Sequence, residues 1–240
     1  MSAPDSPAKA TQPSSIALIG TLAGIAVMSG LLVAMTYQVT LEPIKKNRRE
    51  ALESAVVAVL TEATSRRNFL LDESGLHPLP DDAIAQANLY AGYNDAGELV
   101  GVAMEGSARG YQDVVKILYG YSPESETIIG VKVLQSSETP GLGDRVETDP
   151  DFKANFDALD ARLNDAGDAL ANAIVTVKHG KKKETDRWQI DAISGATITS
   201  NAIGQALQQS ASTMLPLLQR HKDGLQTDPS DHSTPGKPTP

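Results

Sequence analysis

Between Lys9 and Glu42 the chain carries no charged side chain, and from Ser14 to Val39 it reads SSIALIGTLAGIAVMSGLLVAMTYQV. An α-helix rises about 1.5 Å per residue, so about 20 apolar residues cross the roughly 30 Å hydrocarbon layer of a bilayer. Ile16 to Tyr37 is long enough for that, and the pattern predicts a transmembrane helix over 14–39 behind a polar arm at 1–13. The apolar run exceeds the core of a usual secretory signal, and only Lys9 and the amino terminus lend it positive charge from the front. Both features favour a retained anchor over a cleaved leader. The small residues Gly20, Ala23, Gly24, Ser29 and Gly30 are suited to close approach by a neighbouring membrane helix.

Beyond the span the period changes. Leu52, Ala55, Val56, Val59 and Leu60 recur at helical spacing, so Glu42 to Thr64 reads as a second helix behind the basic turn Lys45, Lys46, Arg48 and Arg49. With the polar stretch Asp72 to Pro80 it forms a connecting segment over 40–80. Strand-like runs follow. Leu89–Tyr93 and Leu99–Met104 flank the turn sequence Asn94-Asp95-Ala96-Gly97, and Val114–Tyr119 and Thr127–Leu134 flank a second turn, giving two hairpins. Asp151 to Ala173 reads as a helix, Ile174–Lys178 and Arg187–Ile190 as a third hairpin, and Asn201 to Leu215 as a final helix with the apolar stripe Ile203, Leu207, Ala211 and Met214. Strands in hairpins with interspersed helices define an α+β class: an antiparallel sheet with flanking helices over 81–220, preceded by one transmembrane helix. The polar, proline-rich residues 221–240 read as a disordered tail.

Composition narrows the function. A net charge of −9 and 4% aromatic residues oppose binding to nucleic acid, which rests on basic side chains and stacking platforms. The chain has no cysteine, so it can ligate no iron–sulfur cluster through thiolates. Its four histidines, His77, His179, His221 and His232, are too far apart to form a metal-binding spacing. The Lys181–Lys183 run reads as a solvated turn.

Two segments carry candidate chemistry. Asp191-Ala192-Ile193-Ser194-Gly195-Ala196-Thr197-Ile198-Thr199-Ser200 joins the strand ending near Ile190 to the last helix. A helix N-terminus offers free N–H groups and the positive end of the helix dipole, both suited to a phosphate, and a threonine hydroxyl there can accept a phosphoryl group. Thr199 or Ser200 would equally serve as an ordinary helix cap with no ligand involved. The second segment, Ser137-Glu138-Thr139-Pro140-Gly141-Leu142-Gly143-Asp144, holds a Pro-Gly turn and a second glycine that permits close approach to a flat ring, although a plain surface turn fits it as well.

DAISGATITS resembles the flavinylation motif of the FMN-binding domain family, and ETPGLGD, upstream of it, resembles the loop of that family that contacts flavin. Anchor, basic turn, tyrosine-containing hairpins, ETPGLG, a single Trp188 and DAISGATITS follow in the order found in the G subunits of Rnf electron transport complexes, from about Ile16 to Gln219. The resemblance implies that Thr197 bears FMN in phosphoester linkage and that Asp191, Ser194, Gly195 and Ala196 are read by the flavin transferase that installs it. It further implies that Thr199 and Ser200 cap the helix and hold the phosphate, while Glu138, Thr139, Gly141, Leu142 and Gly143 surround the ring and ribityl chain. Tyr119-Gly120-Tyr121 stands as either a flank of the flavin or part of the core. The implied protein is an electron carrier among other membrane and iron–sulfur subunits, moving electrons between ferredoxin and a nicotinamide nucleotide. It would lie in the bacterial inner membrane with its soluble domain in the periplasm, whereas the basic residues after the span alone would place that domain in the cytoplasm. The C subunit of the sodium-translocating NADH:quinone oxidoreductase shares the motif and is the alternative, as is an anchored interaction module without flavin.

Overall fold

The computed structural model describes residues 14–225, in two compact units that divide between Arg48 and Arg49. The expected arm at 1–13 and the tail beyond residue 225 lie outside the described residues. Among the described residues the first unit is helix from Ser15 onward, the leading part of α1 (Ser15–Val59). This helix is long and apolar enough to cross a membrane, and its apolar window is wholly exposed. The two helices expected on either side of the basic turn are one in the structure, continuous through Pro43. Side-chain pairs one turn apart, Glu42 with Lys45 and Arg49 with Glu53, tie the first and last residues of the basic segment along the helix.

The second unit is built on a seven-stranded antiparallel sheet. Its strands are β1 (Ser65–Asp72), β2 (Gly75–Leu79), β3 (Leu89–Tyr93), β4 (Leu99–Arg109), β5 (Val114–Ser122), β6 (Thr127–Gln135) and β7 (Leu159–Asp160), in the order β2-β1-β3-β4-β5-β6-β7. The expected α+β architecture is therefore present, and both early hairpins form about the two turns the sequence indicated. The polar stretch expected as linker is instead the β1–β2 hairpin, whose Phe69 and Leu71 enter the core.

Side chains alternate between two buried faces. Leu89, Val102, Met104, Ile117 and Tyr119 face one core, and Tyr90, Ala103 and Leu118 face the other. The first core is closed by α4 (Thr197–His221), which supplies Ile203, Leu207, Ala211 and Leu215. Gly106 lets that helix lie close, since a Cβ there would stand 2.8 Å from the Ala206 carbonyl oxygen. The second core receives Leu52, Ala55, Val56 and Val59 from the end of α1, together with Leu60. Tyr119 and Tyr121 are core residues, with burial raising both phenol pKa values, that of Tyr121 to about 12.

Three expectations fail in the later part of the chain. The helix expected over 151–173 is limited to the end of α3 (Pro150–Ala154), which follows the short α2 (Arg145–Thr148), and β7 and a loop come after it. The Asn164 side chain closes that loop by accepting from Asp168 N and donating to Asp168 Oδ1, so a side chain replaces the helical ladder. The expected third hairpin is a parallel pair, β8 (Val175–Val177) with β9 (Gln189–Asp191), because residues 178–188 form a crossover rather than a turn. Finally, α4 extends to His221 and Leu225 is fully buried, its carbonyl accepting from Tyr93 Oη at 2.8 Å, where a tail was expected.

Candidate functional site

Strand β9 ends at Asp191 and α4 begins at Thr197, so the DAISGATITS segment is a tight connection whose Gly195 takes φ +86°. A side chain at that φ is strained, and glycine adopts it freely. The helix starts without a side-chain cap, and Ser200 N is the first amide satisfied within it, by Ala196 O at 2.9 Å. Among the described residues no acceptor bonds the N–H groups of Thr197, Ile198 or Thr199. Thr197 is exposed, and its hydroxyl makes only a long 3.5 Å bond to Ile193 O. An exposed hydroxyl therefore sits beside three free donors at the positive end of a 25-residue helix.

Thr199 and Ser200 do not cap this helix as expected, because both are turned into the protein. Ser200 Oγ accepts from Ile193 N at 3.1 Å and donates to Ala196 O at 3.0 Å, bracing the Ser-Gly-Ala turn from beneath. Thr199 Oγ1 donates to Glu138 Oε2 at 2.6 Å. That bond joins the two motifs across 61 positions of sequence.

The ETPGLGD loop leaves β6 and folds against the start of α4. Leu142 N and Gly143 N both donate to Thr139 O, and Gly141 takes φ +79°, which defines the turn. Gly143 is required for close packing: a Cβ would stand 2.6 Å from Glu138 Oε2 and 2.9 Å from Thr199 Oγ1. Gln112, in the β4–β5 connection, donates from its backbone N to Glu138 Oε1 at 3.1 Å and from Nε2 to Thr139 Oγ1 at 2.7 Å. Three segments thus meet at one buried carboxylate. Around them the large apolar side chains Tyr111 (67% exposed), Leu142 (54%) and Ile198 (52%) remain uncovered. Tyr111, Gln112 and Ile198 were missed in the sequence, where nothing marked the β4–β5 connection as part of the site.

Asp191 sits at the other end of the motif. Its carboxylate accepts from Gly180 N at 2.8 Å and lies 3.2 Å from His179 Nδ1, so it holds the start of the 178–188 crossover. Its backbone N–H donates to Asn155 Oδ1, which also accepts from Lys182 Nζ at 2.9 Å. The lysine run is therefore not wholly solvated: Lys182 folds back, and desolvation lowers its pKa against the pull of Asp191. Arg145 bonds the motif backbone at Ser194 O and pairs with Asp149, whose pKa is depressed chiefly by the Phe152 N–H it accepts. Arg145, His179, Asp191 and Ser194 border a cleft of about 230 Å³ beside the motif.

These residues fit a phosphorylated flat ligand: free N–H donors and a hydroxyl for the phosphate, an open glycine turn, and exposed apolar side chains nearby for a ring. The match of residues 110–212 to the FMN-binding domain agrees with this and gives the class, a protein with an FMN-binding domain. Over 190 residues the chain is 31% identical to the G subunit of the ion-translocating oxidoreductase complex of Methanosarcina acetivorans, covering 79% of this chain and 89% of that protein. The corresponding protein of Cereibacter sphaeroides is 29% identical over 213 residues, 88% of each chain. The chain belongs to this family, the G subunits of ion-translocating oxidoreductase complexes. Its fold is similar to that of Shewanella oneidensis NqrC, with a TM-score of 0.59 at 21% identity over 76% of this chain and all of that one. The C subunit of the sodium-translocating NADH-quinone reductase of Parabacteroides distasonis gives 0.56 at 20% identity, over 72% of this chain and 94% of that one.

Proposed function

We propose that this chain is a membrane-anchored electron relay of an ion-translocating ferredoxin:NAD oxidoreductase complex, carrying FMN joined through its phosphate to Thr197 Oγ1. The observation that carries the reading is the exposed Thr197 hydroxyl beside three unpartnered helix N–H groups, within a family whose domain binds FMN. The bound flavin supplies a centre that exchanges electrons singly or in pairs. The chain's own residues then bind and orient.

At attachment, the Thr197 oxygen forms a bond to the flavin phosphorus and its proton leaves. The donor is a flavin dinucleotide whose P–O–P bond breaks, releasing a nucleoside monophosphate, and a flavin transferase reads Asp191, Ser194, Gly195 and Ala196. The N–H groups of Thr197, Ile198 and Thr199 would offset the negative charge that remains on the phosphodiester. Thr139, Gly141, Leu142 and Gly143, with Tyr111 and Ile198, are the residues that would hold the ribityl chain and ring. Ser200 and Glu138 support those loops from inside.

With no cysteine of its own, the chain exchanges electrons with iron–sulfur and other membrane subunits of its complex. Residues 14–39 anchor it in the inner membrane, with the flavin domain on the periplasmic side; partner subunits override the basic residues after the span. The test is expression of the full chain with and without a flavin transferase, followed by denaturing electrophoresis and in-gel fluorescence. The wild type is fluorescent only with the transferase, and Thr197→Ala stays dark under both conditions. A dark wild-type band with an active transferase, or a fluorescent Thr197→Ala band, contradicts the reading.

A further inference from the structure

The side chain of Glu138 does not point outward from the ETPGLG loop as a ligand contact would. It is 8% exposed, and its two oxygens accept from Gln112 N and Thr199 Oγ1. Gly110 and Gly143 are pressed against it so closely that a Cβ at either would stand 2.5 Å and 2.6 Å from its oxygens. Among the described residues no Lys, Arg or His forms an ion pair with it; Arg145, which reaches the motif, is engaged by Ser194 O and Asp149. Glu138 is thus a buried carboxylate held by charge-assisted hydrogen bonds from neutral donors, with no ion-pair partner among the described residues.

We infer that Glu138 is a redox-positioning residue, a fixed negative charge clamped under the start of α4 that makes the flavin on Thr197 harder to reduce. The inference rests on the proposed attachment at Thr197, two residues from the Thr199 that holds the carboxylate. When one electron passes from a one-electron donor of the complex, that donor is oxidised by one electron and the flavin site becomes one charge more negative. A fixed negative charge nearby opposes that gain, and charge near the ring is one of the levers by which a protein tunes a flavin. A unit charge acting across roughly 10 Å at an effective dielectric near 20 changes an equilibrium by about tenfold.

Glutamine separates the charge from the clamp. In Glu138→Gln the amide oxygen still accepts from Gln112 N, and the amide NH₂ donates to a Thr199 hydroxyl that turns to accept. The experiment is potentiometric titration of the full-length, covalently flavinylated protein, with in-gel fluorescence confirming equal flavin content. Glu138→Gln is expected to be flavinylated like the wild type and to shift to a more positive midpoint, with about a tenfold higher ratio of reduced to oxidised flavin at a fixed potential, or about 59 mV for one electron. Glu138→Asp, which keeps the charge, stays near the wild-type value. Gln112→Lys, at an exposed position, leaves the backbone bond to the carboxylate in place and adds an opposing charge beside it, so its midpoint also rises. An unchanged midpoint in Glu138→Gln overturns the inference and leaves Glu138 a purely structural clamp. If Glu138→Gln does not fold, an unchanged midpoint in Gln112→Lys overturns it. A wild type without covalent flavin overturns the proposed function instead.

Discussion

Thr199→Val isolates the bond that joins the two flavin-related motifs. Valine matches threonine in shape, so the buried site stays filled while the Glu138 carboxylate loses the shorter of its two hydrogen bonds, the 2.6 Å bond from Thr199 Oγ1. Its other acceptor contact, to Gln112 N at 3.1 Å, remains. A hydrogen bond to a charged group contributes about 1.5–3 kcal/mol, and an acceptor left buried adds its own desolvation penalty. The expected loss is about 2 kcal/mol, which for a urea slope of about 2 kcal/mol/M lowers the midpoint by about 1 M. Thr199→Ser is the control: it keeps the hydroxyl and loses one buried methyl, costing about 0.8 kcal/mol. Urea unfolding of the full-length protein in detergent can be followed through its single tryptophan, the half-buried Trp188. Thr199→Val within about 0.5 kcal/mol of the wild type, or no more destabilised than Thr199→Ser, would refute the reasoning.

Two further outcomes follow from the packing and the charges. Gly106→Ala forces a Cβ against the backbone carbonyl of Ala206, so α4 must shift from β4; a loss of about 1–3 kcal/mol is expected in the same unfolding assay. Arg162→Gln removes the two-pronged contact to Asp160, at 2.9 and 2.8 Å, which is the main cause of that carboxyl's lowered pKa. Stability from a depressed carboxyl is present above its ordinary value and lost as pH falls through the folded-state value. Arg162→Gln should therefore unfold at a lower midpoint than the wild type at neutral pH, and the two should converge well below pH 3.8, as read from unfolding midpoints across that range.

The sheet was legible where apolar, strand-like runs are bounded by turn residues. Leu89–Tyr93, Leu99–Met104, Val114–Tyr119 and Thr127–Leu134 all fall in paired strands, and the Asn94–Gly97 turn joins two of them. The β1–β2 hairpin escaped because its strands carry Arg66, Arg67, Asn68, Asp72 and His77, which hide Phe69 and Leu71. Phe152, Phe156, Leu159 and Leu163 recur at near-helical spacing, yet Asn155 and Asn164 bond backbone groups and divert the chain. Within the site, the motifs were visible as residue types but the direction of their side chains was not. Glu138, Thr199 and Ser200 were expected to face a ligand and face inward; for Glu138 and Thr199 this depends on glycines at 110 and 143 whose packing emerges only once three distant segments meet. Asp191 was expected only as a recognition residue, and its bond to Gly180 N follows from the crossover that a hairpin reading could not supply.

The most direct measurement is peptide mass spectrometry of the chain purified from its assembled complex. Trypsin releases the segment from Trp188 to Arg220, which contains the whole motif. A peptide heavier by FMN less one water, with fragmentation locating the increment on Thr197, is the predicted result. A bare Thr197 in an assembly that still transfers electrons would contradict it.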